Sequence, residues 1–459
     1  MSLIFEPRSE LGKAALRRLL QLDQLVLPRS ESEIAAEVER NYHWNFTFNM
    51  LDGVAFWFGW SFASATTIVP LFVSKLTLNP LLIGLIAVIA QAGWYLPQLF
   101  TAGHIERLSR KKPVVVNLGF FTERLPVFVW PMAALVALWS PALALLLFFI
   151  SYAWHTLGAG LVSPAWQDLF ARCFPANRRG RLLGIRTFIG TGVGAIGAIL
   201  SSWLLEAAPF PLNFVYLFFI AAVAISLSWG FLAQTREPVQ PAPAPMPGAG
   251  QFRDKLFHIL RHDHNFRSFL QARLILALGS IGAGFITIAV IKRWQVSDST
   301  VGLYTAALLI GQMVGNLLSG LLADRFGHKL SVEIGGAAAM VAFALAWLAP
   351  SAAWYYPVFV CWGMSFGIII VSGVLIVLEF STPAHRPTYI GITNTGLGLA
   401  NGVAPLLGAW LGGFSYNLLF ALSAGINLLG LVLLYWQVKE PRWQQVEMDL
   451  GLYQPEKAN

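Results

Sequence analysis

Ionisable side chains interrupt long apolar stretches of this 459-residue sequence, among them Asp52, His155 and Arg186. A charged group is costly in a hydrophobic environment such as a bilayer interior, so each of these residues is a functional candidate by default. An aspartate can take up a proton, a histidine titrates near neutral pH, and an arginine attracts anions. We therefore predict proton coupling or substrate contact at Asp52, with His155 and Arg186 as further candidates.

A structural role remains the alternative for each of these three residues. Asp52 could be a hydrogen-bonding acid near the membrane interface, and His155 a hydrogen-bonded core residue. Arg186 could hold Asp52 or Asp168 in place rather than contact a solute. The residue types alone do not decide between the two kinds of role.

Three further charged residues fall within apolar stretches. Glu123 and Arg124 are adjacent, and consecutive residues on an α-helix do not face each other, so each is expected to need another partner. We expect both to brace the structure. Arg273 lies near the end of an apolar stretch, and we expect its long side chain to reach the membrane interface.

Uncharged polar residues could form the wall of a pore through such a protein. Gln312 and Asn316 are four residues apart and share one face of a helix. We predict a polar cavity wall that includes Gln91, Gln312, Asn316 and Asn394, with Trp362 as a stacking surface. The alternative for a tryptophan is an interfacial anchor.

Motifs of enzymes and of metal sites are absent from the sequence. It contains no His-Glu-x-x-His pair, no serine nucleophile elbow and no glycine-rich phosphate loop. Its two cysteines, Cys173 and Cys361, give neither a disulfide framework nor a metal-binding spacing. We therefore expect no catalytic residues, no metal and no cofactor. Basic and aromatic residues are not interleaved as nucleic-acid binding would require, so no nucleic-acid partner is expected.

The composition requires elements that span a membrane. Hydrophobic residues make up 56% of the chain, charged residues 12%, and the mean hydropathy is +0.62. A span needs about 20 apolar residues. Apolar runs and turn signals predict twelve helices, at 46–75, 80–101, 113–137, 142–164, 183–204, 212–234, 268–291, 301–323, 331–349, 355–379, 389–413 and 416–437.

Lysine and arginine predict which ends of the spans face the cytoplasm. If the N-terminus is cytoplasmic, the internal connections carry sixteen of these residues and the external ones carry three. By the positive-inside rule both termini are then cytoplasmic. Most of the net charge of +8 is accounted for by this asymmetry. Residues 11–22 read as an amphipathic basic helix on the membrane surface or, alternatively, as part of a solvated tail.

A proline-rich stretch at 239–251 divides the membrane region into six spans and six. The predicted divisions are a cytoplasmic N-terminal segment (1–45), two six-helix bundles (46–235 and 268–438), the cytoplasmic linker between them (236–267) and a cytoplasmic tail (439–459). The resulting fold class is an all-α membrane protein.

The two halves repeat one another. The segment GLLADRFGHK at 320–329 follows span eight, and AGHIERLSRK at 102–111 follows span two, with Glu106 and Asp324 in register. A second pair, 175–184 and 383–391, precedes spans five and eleven. Two matches at similar offsets indicate duplication, and repeat-built transporters hold their solute between the halves.

These features resemble the major facilitator superfamily. GLLADRFGHK is similar to the loop motif of that family, and PANRRGRLLG at 175–184 to its entry to span five. The resemblance implies two pseudo-symmetric six-helix bundles that tilt alternately about a central cavity. It also implies that an acid in span one often takes the coupling proton. The first copy of the loop motif departs from the pattern, because Ala102 and Ser109 replace its glycines.

In that arrangement the loop acids would latch the cytoplasmic side. Asp324 could lie against the positive N-terminal end of span eleven, and Glu106 against the arginines at the start of span five. Glu333 and Glu379 could pair with Arg325 or Arg386, and Asp168 with Arg178 or Arg172. The predicted gate comprises Glu106, Arg107, Asp168, Arg178, Asp324, Arg325, Glu379 and Arg386.

The resulting expectation is a monomeric secondary transporter in the plasma or inner membrane. It would couple protons to a small amphipathic organic solute, with membrane lipids as its surroundings. Export is favoured, because charge is sparse and aromatic residues are frequent. A lipid or lysolipid flippase, an uptake symporter and a non-transporting membrane sensor are the alternatives.

Overall fold

A computed structural model of the protein describes residues 14, 17–22, 29–106, 108–175, 178–240, 259–381 and 386–442. For Pro80, Leu99, Ala102, Gly103, Glu106, Asp324 and residues 386–388 it describes the backbone alone. Most of the predicted helix at 11–22 lies outside these ranges. Where it is described, the Leu19 carbonyl accepts a hydrogen bond of 2.8 Å from Asn117, so this part packs on the first half of the protein.

The first half contains a short helix and six spans. The helices of this half are Glu31–Arg40, Tyr42–Ser61 and Ile68–Leu76 (span one), Pro80–Glu106 (span two), Pro141–Cys173 (span four), Arg179–Ala207 (span five) and Leu212–Leu232 (span six). Span three consists of the π-helical segments Val114–Leu118 and Phe120–Arg124, the 3-10 turn Leu125–Phe128 and the α-helix Val129–Val136.

The second half contains the other six spans. Span seven runs through His264–Leu278, the 3-10 segment Gly279–Phe285 and Ile286–Trp294. The remaining helices are Asp298–Phe326 (span eight), His328–Leu348 (span nine), Tyr355–Glu379 (span ten), Arg386–Phe414 (span eleven) and Tyr416–Gln437 (span twelve).

Ten of the spans are long and apolar enough to cross a membrane as continuous runs of described residues. Spans one and three are not among the ten, and both are divided, the first between Ser61 and Ile68 and the third among short segments. With these two, the predicted number of twelve and the all-helical fold are confirmed.

Spans two and four are longer at their C-terminal ends than the sequence predicted. Span four continues to Cys173, nine residues past the predicted end at Pro164. Span two continues past Pro97 to Glu106. A proline does not end a membrane helix when neighbouring helices satisfy the backbone group that it frees. At its other end span four begins at Ser140, whose hydroxyl accepts a hydrogen bond from the Leu143 amide.

The repeat is visible as matched hydrogen bonds in the two halves. Asn45, at the start of span one, donates to the Arg236 carbonyl at 3.0 Å and accepts from the Arg236 amide at 2.8 Å. Asn265, at the start of span seven, makes the same two bonds with Lys439, at 3.1 and 2.8 Å. Each half therefore ties its first span to the end of its sixth. We call the end of the molecule that contains these four residues the terminal face.

The two halves are closed against each other at the face opposite the terminal face. Four polar contacts between described residues of the two halves lie there. They are Thr67 with Thr305 at 2.6 Å, Ser202 with the Ser299 carbonyl at 2.7 Å, Thr287 with the Thr66 carbonyl at 2.7 Å, and Lys75 with Asp298 at 2.8 Å.

Spans five and eight meet from that face to about the middle of the molecule and then separate. A Cβ added at Gly302 would lie 2.5 Å from Ser202, and one added at Gly192 would lie 3.3 Å from Met313. Gly320 is two turns further along the same face of span eight, where an added Cβ would meet nothing within 4 Å. Spans five and eight therefore part toward the terminal face, and we infer a cleft between the halves that opens there.

Candidate functional site

Asp52 lies in a buried ion pair inside the first half. Its Oδ2 is 2.7 Å from Nη2 of Arg186 on span five, and its Oδ1 accepts a hydrogen bond of 2.6 Å from Ser228 on span six. The side chains of Asp52 and Arg186 are 3% and 9% exposed. The expected contact between these two residues is thus present, and it joins three spans. It lies within the bundle rather than on an open surface.

Small residues let the helices approach closely enough to form this pair. A Cβ added at Gly53 would lie 2.5 Å from Cγ of Arg186, so only glycine leaves room for that side chain. Arg186 makes two further contacts. Its Nε donates to the Asn49 carbonyl at 3.1 Å, and its guanidinium lies 5.4 Å from the ring centre of Trp166. Such contacts compensate for removing the charge from water.

The expectation that Glu123 and Arg124 need separate partners is wrong. Arg124 Nη1 is 3.2 Å from Glu123 Oε1, and both side chains are largely buried. The segment Phe120–Arg124 is π-helical, and its wider turn brings consecutive side chains closer together than an α-helix does. Glu123 is also near enough to Asp52 for their charges to interact. The first half thus buries two acids and two arginines close together.

His155 is a packed, hydrogen-bonded core residue. Its Nδ1 is 2.7 Å from the Glu123 carbonyl, and its ring lies 5.2 Å from Trp60 and 5.3 Å from Trp130. These contacts correspond to the structural role considered for it, beside the buried charges rather than in the cleft.

A second cluster lies at the terminal face of the first half. Asp168 pairs with Arg172 at 3.3 Å and with Lys111 at 3.1 Å, so of its two expected partners the structure shows Arg172. Glu237, just after span six, accepts hydrogen bonds from the amides of Lys111 and Lys112 at the start of span three. The cluster fastens the loop after span two to the end of the half.

Burial changes the proton affinities within this cluster. It raises the pKa of the Glu237 carboxyl, although the hydrogen bonds from the two lysine amides oppose the change. Burial also lowers the pKa of the Lys111 ammonium. Repulsion from Arg172 lowers this pKa further, and attraction to Asp168 opposes the change by a smaller amount. Desolvation disfavours the charged form of each group. Arg178 lies outside the cluster and pairs with Glu39 at 3.4 Å.

A corresponding cluster lies at the terminal face of the second half. Glu440, just after span twelve, accepts a hydrogen bond of 3.0 Å from the Lys329 amide at the start of span nine. Lys329 also pairs with Glu333 at 3.0 Å. Glu379 pairs with Arg442 at 3.2 Å, and His328 Nε2 is 3.9 Å from it.

Among the described contacts, Glu333 and Glu379 therefore do not pair with Arg325, whereas a pairing with Arg386, whose side chain is not described, stays a prediction. Arg325 lies instead over the ring of Phe326, with 5.2 Å to the ring centre. The reason is position, because Lys329 is four residues from Glu333 on the same face of span nine and Arg442 follows span twelve beside Glu379.

Part of the predicted latch lies outside what the structure describes. Arg107 falls outside the described residues, and only the backbone is described for Glu106, Asp324 and Arg386. Both loop acids therefore remain predictions as latch residues.

The predicted polar wall is distributed over different environments. Gln312 and Asn316 are buried at 2% and 4% exposure, and amide atoms of both have no hydrogen-bond partner. Asn394 is exposed and Gln91 half-buried. Trp362 packs against Phe343, with 5.3 Å between ring centres.

Sequence reasoning missed one pair of residues, Glu237 and Glu440. Glu237 and Glu440 each occur in a short basic-Glu-Pro segment, Arg-Glu-Pro and Lys-Glu-Pro, directly after the last span of each half, and that repeat could have revealed them.

The prediction that Arg273 reaches the membrane interface is wrong. Arg273 is 6% exposed and lies near Tyr95 of span two, because Gly373 of span ten leaves space for its guanidinium inside the protein.

Comparisons with known proteins agree with this architecture. A family model described as Major Facilitator Superfamily matches residues 272–453. A hexuronate transporter of Bacillus subtilis (strain 168) is 29% identical over 150 residues, which are 32% of this chain and 35% of that protein. Multidrug resistance protein 2 of the same organism is 24% identical over 178 residues, which are 36% of this chain and 44% of that protein. The matched segments span less than half the length of these relatives.

A solved structure shares the fold over most of the chain. The crystal structure of a D-xylose-proton symporter superposes with a TM-score of 0.61 at 17% identity, over 86% of this chain and 98% of that chain.

Proposed function

Because a family model of the major facilitator superfamily matches residues 272–453, we propose that the chain is a secondary active transporter of that superfamily, which couples proton movement to solute movement by alternating access. Asp52 is the proton-binding residue, and Arg186 is the group that responds to its protonation. The solute is a small amphipathic organic molecule. Both termini, and hence the terminal face, lie in the cytoplasm of a cell whose plasma or inner membrane holds the protein.

The observation that carries this proposal is the buried pair of Asp52 and Arg186, because Arg186 belongs to span five, which also forms the boundary between the halves. Arg186 is six residues, or about 9 Å, from Gly192 on span five. Gly192 in turn contacts Met313 of span eight. A change at the pair therefore acts on a helix that must move when the halves tilt.

Protonation of Asp52 removes the negative charge that balances Arg186. A buried cation without its partner is destabilised by several kcal/mol, so the guanidinium must find another acceptor or water. Either change moves span five relative to span one. Glu123 is a weaker candidate for the proton site, because its ion-pair partner Arg124 is its neighbour on the same span.

The cleft that opens at the terminal face supports an inward-facing state. In that state the four contacts at the opposite face hold the halves together. Opening to the outside would require these contacts to break and the terminal-face clusters to come together as a gate. Export is the proposed direction, because sparse charge and frequent aromatic residues suit an amphipathic solute.

The test uses the purified chain and a matched pair of variants. Metabolites, lipids and drugs are first screened for thermal stabilisation, and the best stabilising solute is then followed in proteoliposomes. We expect a pH gradient to drive its movement with the wild type. We expect Asp52→Asn to lose the gradient-driven movement but to keep solute exchange at equal pH, since exchange needs only alternating access.

Glu123→Gln is the control, because it also removes one buried acid from the same half. It should keep gradient-driven movement. Gradient-driven movement that is unchanged in Asp52→Asn would refute the role of Asp52, and a loss confined to Glu123→Gln would place the proton site on span three. Movement in inside-out vesicles would report the direction.

A further inference from the structure

Arg273 on span seven is a buried cation that has no acid beside it in the described part of the chain. Its side chain is 6% exposed, and its Nε has no hydrogen-bond partner. Arg186, with a similar exposure of 7%, is by contrast paired with Asp52 at 2.7 Å. An unpaired buried arginine is costly, and an anion that pairs with it would remove that cost.

The surroundings of Arg273 come from both halves of the protein. Gly373 of span ten lies against it, since an added Cβ there would be 3.1 Å from Nη2. Tyr95 of span two, in the other half, lies within electrostatic range of Arg273, and Asn401 of span eleven lies near its hydroxyl. Spans two and eleven are packed together here, with 3.2 Å between Tyr95 Cβ and a Cβ added at Gly398.

The depth of Arg273 matches that of Asp52 in the repeat. Asp52 is seven residues past Asn45, and Arg273 is eight residues past Asn265, the matching asparagine of the second half. Both residues thus lie about 10–12 Å from the terminal face. This position lies between the halves, on the terminal-face side of the bilayer midplane near which transporters built from repeats hold their solute.

We propose that Arg273 binds the carboxylate of the transported solute, with Tyr95 and Asn401 supplying further hydrogen bonds. The solute is then an organic anion with a single negative charge. A guanidinium can donate two parallel hydrogen bonds to a carboxylate, which gives both affinity and orientation. A phosphate dianion would require more positive charge than this one arginine supplies. The inference rests on the proposed function as a transporter and specifies its substrate class.

Contributions from both halves make this site dependent on conformation. Arg273 and Asn401 belong to the second half, and Tyr95 belongs to the first. Tilting of the halves changes the separation between Tyr95 and Arg273, so the bound anion is held most tightly in one arrangement. Differential binding of this kind is what allows a solute to shift a conformational equilibrium.

The experiment measures thermal stabilisation of the full-length purified protein by pairs of probes that differ in charge. The pairs are benzoate with benzamide and D-glucuronate with D-glucose, each at about 10 mM, where millimolar binding is detected. We expect the anion of at least one pair to raise the Tm in a saturable way and its neutral partner to leave the Tm unchanged. In Arg273→Gln the shift should disappear.

Two variants keep the test interpretable. Arg273→Lys retains the charge but not the paired donors, and its affinity should fall at least tenfold. Arg267→Gln removes the same charge from a position nearer the terminal face of the same helix and should bind the anion as the wild type does. If Arg273→Gln does not fold, Arg273→Lys and Tyr95→Phe, which removes only a hydroxyl, still decide the matter.

Each outcome bears on the proposal separately from the transport function. Equal stabilisation by a neutral partner, anion binding that survives in Arg273→Gln, or no anion-specific stabilisation in either pair would overturn it. Stabilisation by vesicles that contain phosphatidylserine, without any by the soluble carboxylates, would assign the site to a lipid headgroup and also overturn it. In any of these cases, proton-driven flux that depends on Asp52 would leave the proposed function intact.

Discussion

The pair of Asp52 and Arg186 predicts a large energetic coupling between two side chains that are 134 residues apart in sequence. The perturbations are Asp52→Asn, Arg186→Gln and the two substitutions together. Each single variant leaves a buried group without its partner, whereas the double variant removes both charges. The double variant is therefore expected to be more stable than the sum of the single losses implies.

The magnitude follows from the contacts of each group. Breaking a buried ion pair by removing one partner costs about 3–5 kcal/mol. In Asp52→Asn the guanidinium keeps the Asn49 carbonyl at 3.1 Å and the Trp166 ring at 5.4 Å. A partly desolvated cation over a ring recovers about 1–2 kcal/mol, which reduces the expected loss to about 1–4 kcal/mol. In Arg186→Gln the aspartate keeps Ser228 at 2.6 Å, and the loss is of similar size.

The coupling is measured by a double-mutant cycle on the purified protein, with equilibrium unfolding in mixed micelles followed by fluorescence. We expect a coupling of about 2–3 kcal/mol between the two substitutions. The control cycle is Glu39→Gln with Arg178→Gln, a pair at 3.4 Å whose side chains are 55% and 45% exposed. Exposed pairs contribute about 0–1 kcal/mol, so this cycle should show little coupling. A coupling for Asp52 and Arg186 no larger than that of the control would refute the buried pair.

Two further substitutions test other contacts. In Gly53→Ala the new Cβ would lie 2.5 Å from Cγ of Arg186, so we expect displacement of that side chain and a loss of about 1–3 kcal/mol in unfolding free energy. Gly230→Ala on span six is the control, since its Cβ would meet nothing within 4 Å; equal unfolding curves for both variants would contradict the contact. Burial raises the pKa of Glu237 above the usual 4.5, so the folded state binds this proton more tightly than the unfolded chain does. Stability should then fall as the pH rises from 4.5 through the folded-state pKa of Glu237. In a series of Tm measurements at different pH values, Glu237→Gln should remove this dependence. Identical slopes of Tm against pH in the wild type and the variant would exclude the contribution of Glu237.

Much of the fold was predictable because its signals are local in sequence. A run of about 20 apolar residues can hardly be anything except a membrane span. Turn signals such as Ser140-Pro141 fixed the start of span four, where Ser140 caps the helix as its position suggests. The duplicated loop motif indicated the two halves, and the matched bonds of Asn45 and Asn265 reproduce that duplication.

The ends of the spans were less predictable than their number. Pro164 looked like the end of span four, but neighbouring helices support the backbone there and the helix continues to Cys173. Glu123 and Arg124 looked unable to meet, because the sequence does not reveal that span three is π-helical at that point.

The sequence by itself determined the membrane class, the twelve spans, the duplication and the short set of charged residues within the spans. These follow from composition and from the order of residues along one helix at a time. The partners of the charges were decided only by the tertiary structure, since Asp52 meets Arg186 across 134 residues of chain while Arg273 meets no acid among the described residues. The physical reason is that a charge is balanced by whatever lies within a few ångströms of it, and those neighbours belong to helices that are distant in sequence.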